Sequence, residues 1–178
     1  MTLTASSTIT EVAAAVPTAL QTAGIAAILT GGACAAIYSR GAYVSHDLDF
    51  IIRGRTTQKT LDSAMASVGF TRNGDRYIHK RTRFFVEFPR GPLAIGDDFD
   101  ITPVDLKIGR GSTLALSATD SCRDRLAAFY HWSDRQSLRA AVDIARLRHV
   151  NLAVIARWSR REGFVAKHEE FRKALKQP

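Results

Sequence analysis

Two aspartates separated by a single residue, Asp47 and Asp49, stand in YVSHDLDFIIR, a run whose polar and apolar positions alternate as in a strand. Side chains two apart on a strand leave on one face, so both carboxylates enter the same space. Carboxylates that close repel, and the repulsion raises a pKa unless a cation neutralises it. Hard oxygen donors of this kind suit Mg²⁺, which takes a few carboxylates and completes its shell with water and substrate phosphates. Gly31 and Gly32 come earlier, with Gly32 and Asp47 15 positions apart. Lacking Cβ atoms, the two glycines let a phosphate approach the backbone, and the helix that follows offers unpaired N–H groups to an anion. A D-x-D pair alone is common, and a Gly-Gly pair alone is usually turn geometry. In the order strand, Gly-Gly, helix, D-x-D strand they favour one ligand, a nucleoside triphosphate with a divalent ion. No G-K-[ST] or G-x-G-x-x-G is present, which excludes a P-loop and a dinucleotide fingerprint.

Such a site needs a sheet and a helix to position it. Residues 25–30 read as a short buried strand, 33–40 as a helix and 43–53 as a strand. Residues 10–24 read as a helix that Pro17 should end or bend. Thr57 starts a helix in which Leu61, Met65 and Val68 recur at helical spacing, and Gly69 stops it. DRYIHK and RFFVEFP read as a hairpin joined near Lys80–Thr82, and the segment from Pro89 to Asp100 reads as a loop. Residues 104–108 read as a last strand before the turn Gly109–Arg110–Gly111. From Asp120 onward only helices are expected, with Asp120 or Ser121, Ser133 or Asp134, and Asn151 as caps. The fold class is therefore α+β. Residues 1–119 form a small mixed sheet with flanking helices, and residues 120–178 a basic helical subdomain packed on that core.

Composition narrows the partners. The chain has 178 residues, 46% hydrophobic and 24% charged, which argues against disorder. Cys34 and Cys122 are too few for a disulfide scaffold or a cysteine-only zinc site. No run approaches a membrane span, and the N-terminus lacks a secretory pattern, so a soluble cytoplasmic protein is expected. The net charge is +8, and residues 121–178 hold 13 of the 25 Lys and Arg against six of the 17 Asp and Glu. A basic end of this kind fits RNA phosphates or simply keeps helix faces solvated; both readings stay open.

The Thr30-Gly31-Gly32 and Asp47-Leu48-Asp49 elements resemble the nucleotidyltransferase superfamily that shares the core of DNA polymerase β. Within it the chain is most similar to small bacterial nucleotidyltransferases related to AbiEii toxins, through FFVEFPRGPLAIGDD and RDRLAAFYHWSDRQSL to RWSRREG. The resemblance implies a third acidic residue on a later strand, for which Glu87 is the match and Asp105 the runner-up. It implies that Asp47, Asp49 and Glu87 hold Mg²⁺ or Mn²⁺, while Gly31, Gly32 and Ser39 hold the phosphates of the triphosphate. It further implies a basic residue and an acid from the helical part, matched here by Arg123 and Asp124, although lysine is usual at the Arg123 position. The implied reaction moves a nucleoside monophosphate to a hydroxyl of tRNA, another RNA or a protein, with an antitoxin or a second copy of the chain as further partners. A nucleotide-binding module without turnover, and a helical adaptor whose α+β half is scaffold, remain the competing readings.

Overall fold

The computed structural model describes residues 2–109 and 111–177, so Arg110 of the expected turn lies outside the described residues. The first half runs α1 (Ile9–Thr22), β1 (Ala26–Thr30), α2 (Gly31–Tyr38), β2 (Asp47–Arg53), α3 (Gln58–Ser67), β3 (Phe70–Asn73) and β4 (Arg76–His79). The second runs β5 (Phe85–Glu87), β6 (Val104–Ile108), β7 (Gly111–Ala115), α4 (Ala118–Trp132), α5 (Arg135–Leu147), α6 (Leu152–Arg161) and α7 (Val165–Lys176). The class is α+β, as expected, with one mixed seven-stranded sheet in the order β3-β4-β5-β2-β1-β7-β6.

The two motif strands lie near the middle. β2 pairs antiparallel with β1, which sets Thr30 opposite Asp49, and parallel with β5, which sets Asp49 opposite Glu87. Leu48, Phe50 and Val86 point to the other face and are fully buried. There they join Val12, Val16 and Leu20 of α1 and Leu61 and Met65 of α3 in the main core. Because side chains alternate along a strand, burying that apolar set commits Asp47, Asp49 and Glu87 to the opposite face. That is the link from sequence pattern to site.

Local signals explain most element ends. Thr8 and Glu11 form a reciprocal capping box at the start of α1, and Asp134 and Asn151 cap α5 and α6 as expected. Three expectations fail. α1 continues through Pro17, which is buried within the helix, so its ring neither ends nor replaces the element. α4 starts at Ala118 with Ser117 as its cap, ahead of Asp120 and Ser121, because Ser117 Oγ accepts from the Asp120 N–H at 3.1 Å. Two strands, β3 and β7, stand where the sequence pattern shows none. In FTRN only Phe70 is buried, and in GSTLA only Thr113 and Ala115 are, so apolar alternation is too weak to reveal either.

The helical part packs through α4 and α5 onto α2, with Ala33, Cys34, Tyr38, Leu126 and Ala141 in the shared core. Tyr38 Oη donates to the Leu116 carbonyl at 2.8 Å, and Arg148 Nε donates to the Tyr38 carbonyl at 3.0 Å. Cys34 and Cys122 are free and buried, and burial pushes the Cys34 thiol up to about 12, which leaves it unreactive. Among the described residues no helix is long and apolar enough to cross a membrane.

Candidate active site

The site forms where β1 breaks into α2. Gly31 has φ +62°, a conformation that other residues adopt at a cost, and a Cβ there would overlap Asp49 Oδ2. A Cβ on Gly32 would come within 2.6 Å of Ser45 Oγ. The glycine corner and the acids are thus in direct contact, with the backbone pressed against the Asp49 carboxylate. Ser45 is buried, and its hydroxyl is hydrogen-bonded to Asp47 Oδ1. That bond fixes the first carboxylate of the pair beside the second glycine.

Asp47, Asp49 and Glu87 are each half-buried. Asp49 bears the electrostatic load. Its carboxyl is pushed up to about 6, first by burial and then by the charges of Asp47, Glu87 and Asp124, with Arg125 opposing them. Glu87 is one strand away from Asp49, whereas Asp105 sits on edge strand β6, opposite Leu114. Three strand spacings separate β6 from β2, about 14 Å. The register therefore brings Glu87, and not Asp105, to the aspartate pair.

The helical part contributes Asp124 and Arg125. Arg125 donates from Nε and Nη2 to Asp124 Oδ2 at 3.0 and 2.7 Å, and its side chain is 15% exposed. Both charges bear on Asp49, so α4 sets a fixed cation and its acid at the rim of the cluster. Arg123 is not brought there. Its side chain is 4% exposed, it is ion-paired to Asp98 and Asp120, and its guanidinium lies 5.1 Å from the centre of the Trp158 ring. Adjacent helix positions point about 100° apart, so Arg123 is turned away while the charge of Arg125 bears on Asp49. The signal that could have found Arg125 is periodicity, since Asp124 and Arg125 border the α4 face that meets α2.

Arg123 instead ties the loop before β6 to α4. Asp98 is held below the usual carboxylate range: burial opposes this, but hydrogen bonds from Arg123, the Asp100 N–H and Arg161 outweigh it. Arg123→Ala should cost about 1–3 kcal/mol, because half-buried Asp98 and Asp120 each lose a charged partner while Asp98 keeps Arg161 and Asp120 keeps Ser117, read as a lower midpoint in urea denaturation. Ser39 also lies away from the glycines. It is buried at the far end of α2, where its Oγ donates to the Ala36 carbonyl at 3.3 Å and accepts from the Tyr43 N–H at 3.2 Å. It closes the helix end.

Among the described residues, no three His, Cys, Asp or Glu side chains are already gathered as a metal-ligand group. The donor set nevertheless fits a hard cation: three carboxylates share one face of adjacent strands, and their mutual repulsion adds to burial in raising Asp49. A cavity of about 640 Å³ opens beside Glu87 but is lined by Ile52, Leu61, Tyr77 and Phe88, and it includes neither aspartate of the pair.

No family model matches the chain, and no curated protein matches its sequence. Its structure is similar to the crystal structure of an antigenic nucleotidyltransferase-like protein from Paracoccidioides brasiliensis. The two share 16% sequence identity over 97% of this chain and 94% of that one, with a TM-score of 0.63. The fold is nucleotidyltransferase-like. At that identity the likeness concerns architecture, and it covers the α+β sheet together with the helical part. Within the nucleotidyltransferase-like fold, the chemistry has to be argued from the acids, the glycines and Arg125 themselves.

Proposed function

We propose that the protein transfers a nucleoside monophosphate from a nucleoside triphosphate to a hydroxyl acceptor. The observation that carries this reading is the register that sets Glu87 beside Asp49 while the Gly31 backbone abuts the same carboxylate. Asp47, Asp49 and Glu87 would hold Mg²⁺ or Mn²⁺, which when bound supplies neutralising charge to the phosphates and the attacking oxygen. The acceptor oxygen forms a bond to the α-phosphorus. The bond from that phosphorus to the bridging oxygen breaks, and pyrophosphate leaves with the electron pair. Glu87 takes the hydroxyl proton. Gly31 and Gly32 let Asp49 and Ser45 stand against the first turn of α2, whose N–H groups lack helical partners and would take the β- and γ-phosphates. Arg125, held by Asp124, offers the triphosphate a cation whose position is already set. The acceptor fits RNA such as tRNA, or a protein hydroxyl. The sequence resemblance to AbiEii-related proteins suggests a toxin restrained by an antitoxin.

A second reading, nucleotide binding without turnover, is favoured by the absence of a ready-gathered ligand group among the described residues. One assay separates the two. The protein is incubated with Mg²⁺ or Mn²⁺, each α-labelled nucleoside triphosphate and total tRNA, beside a D47A/D49A control. Label transferred by the natural chain and lost in the control is the expected result, with Arg125→Ala raising the KM for the triphosphate about tenfold. Equal label from both proteins, or none across a broad acceptor set, would remove the enzyme reading.

A further inference from the structure

The sheet face that carries the acids continues, uncovered, across β5, β4 and β3. Two rows of side chains cross it. One runs Asp49, Glu87, Arg76, Asn73 and the other Asp47, Phe85, Ile78, Thr71. Apart from the acids and half-buried Phe85, the members of these rows are exposed, Ile78 at 40%. Apolar and cationic groups therefore alternate on a surface that leads directly to Glu87. The Arg76 guanidinium stacks on Phe85, 4.9 Å from the ring centre. Arg83 is exposed in the bend before β5, with its guanidinium 5.2 Å from the centre of the Phe84 ring, and Arg53 is exposed at the end of β2 on the face of the acids. Among the described residues, no carboxylate is salt-bridged to Arg53, Arg76 or Arg83.

The charge is one-sided. From residue 76 to 90 the chain holds five Lys and Arg and a single acid, Glu87. In the helical part, by contrast, many arginines are already engaged. Arg135, Arg161 and Arg172 are ion-paired, and Arg146 and Arg148 donate to main-chain carbonyls. Arg139, Arg157, Arg160, Lys173 and Lys176 are exposed and carry no ion pair among the described residues, so what distinguishes the sheet face is its continuity with the acids and its aromatic–guanidinium stack. The open sheet offers what single-stranded nucleic acid uses: arginines for phosphates, and an aromatic–guanidinium stack that extends by one more flat ring.

We propose that the open β5-β4-β3 face binds a single strand of nucleic acid whose end reaches Glu87. This rests on the transfer reading, since the strand's terminal hydroxyl would be the acceptor. A duplex fits less well, because its bases are stacked internally and could not lie on Phe85 and Arg76.

The test measures binding without triphosphate or divalent ion. The full chain is titrated against a short fluorescein-labelled RNA strand, a DNA strand of the same sequence and their duplexes, read by anisotropy at several salt concentrations. Single strands should bind more tightly than duplexes. R76E/R83E should weaken strand binding about tenfold or more, and lower the salt slope by about 1.4, roughly 0.7 for each phosphate that is no longer neutralised. Phe85→Ala should weaken binding about fivefold or more. R139E/R160E, on the helical part, should stay within about twofold, the level expected where no phosphate is met. Thermal melts check that each variant is folded. Strand binding unchanged in R76E/R83E, or a preference for duplex, would overturn the proposal. Transfer of label to a protein hydroxyl with no strand bound would overturn it while leaving the transfer reading intact. Strand binding that follows these variants, without any label transfer, would support it and count against that reading instead.

Discussion

Asp49→Asn should abolish nucleotide transfer and, at neutral pH, raise the melting temperature. The two effects have one origin. Burial and the charges of Asp47, Glu87 and Asp124 push the Asp49 carboxyl up to about 6, above its ordinary value near 4. Between those pH values the folded chain binds more protons than the unfolded one, so stability falls as pH rises through the window, and the full penalty persists above about pH 6. Replacing the carboxylate by an amide removes the penalty. The gain at pH 7 should be about 1–2 kcal/mol once solvent screening is allowed for, and it should vanish near pH 4, where the natural side chain is itself neutral. Melting curves of both proteins from pH 4 to 8 read the difference directly. Transfer should fall by at least about a thousandfold, the order seen when a charge-stabilising group is lost from a transition state. Millimolar Mg²⁺ should raise the melting point of the natural protein and leave that of the variant where it was. A variant that is less stable at pH 7, or that retains transfer, would contradict the role given to Asp49.

Gly31→Ala should damage the site by a single methyl group. It forces a Cβ onto a residue with φ +62° and drives that Cβ into Asp49 Oδ2. The backbone cost alone is about 1–2 kcal/mol. Gly24→Ala isolates that part, because Gly24 has φ +72° and nothing within 4 Å of its added Cβ. Both variants should lose stability, but only Gly31→Ala should displace the carboxylate. A misplacement of about 1 Å at a reacting centre costs about a hundredfold in rate, so its transfer should fall by that order while Gly24→Ala stays near the natural level. Equal rates in the two variants would show that the contact between Gly31 and Asp49 has no bearing on the chemistry.

How far the sequence reveals this arrangement differs from residue to residue. The aspartate pair and the glycine pair are visible because their effect is local. Alternation assigns Asp47 and Asp49 to one face, and Gly-Gly between an apolar strand and a helix marks a corner. Glu87 is preferred over Asp105 through the resemblance and not through local pattern, since each occupies a short strand with similar flanks. Their distinction is a matter of strand order, which sets one beside β2 and the other on the far edge. Arg123 and Arg125 illustrate a second limit. Both are arginines on one helix, and the sense in which α4 turns toward α2 decides that the first is locked against Asp98 and Asp120 while the second meets the acids.

Charge distribution is the third case. The formal excess lies after residue 120, and ion pairs within that segment leave it unchanged, so charge alone does not show which cations stand near the acids; strand register does, by setting Arg76 opposite Glu87. Periodicity and turn chemistry, which act over a few residues, determined the fold class, the acid pair and the glycine corner. Tertiary structure alone decided which carboxylate stands beside the pair, which arginine bears on Asp49 and which sheet face stays open, because each depends on which distant segments pair or pack, and no interaction along the local chain encodes that.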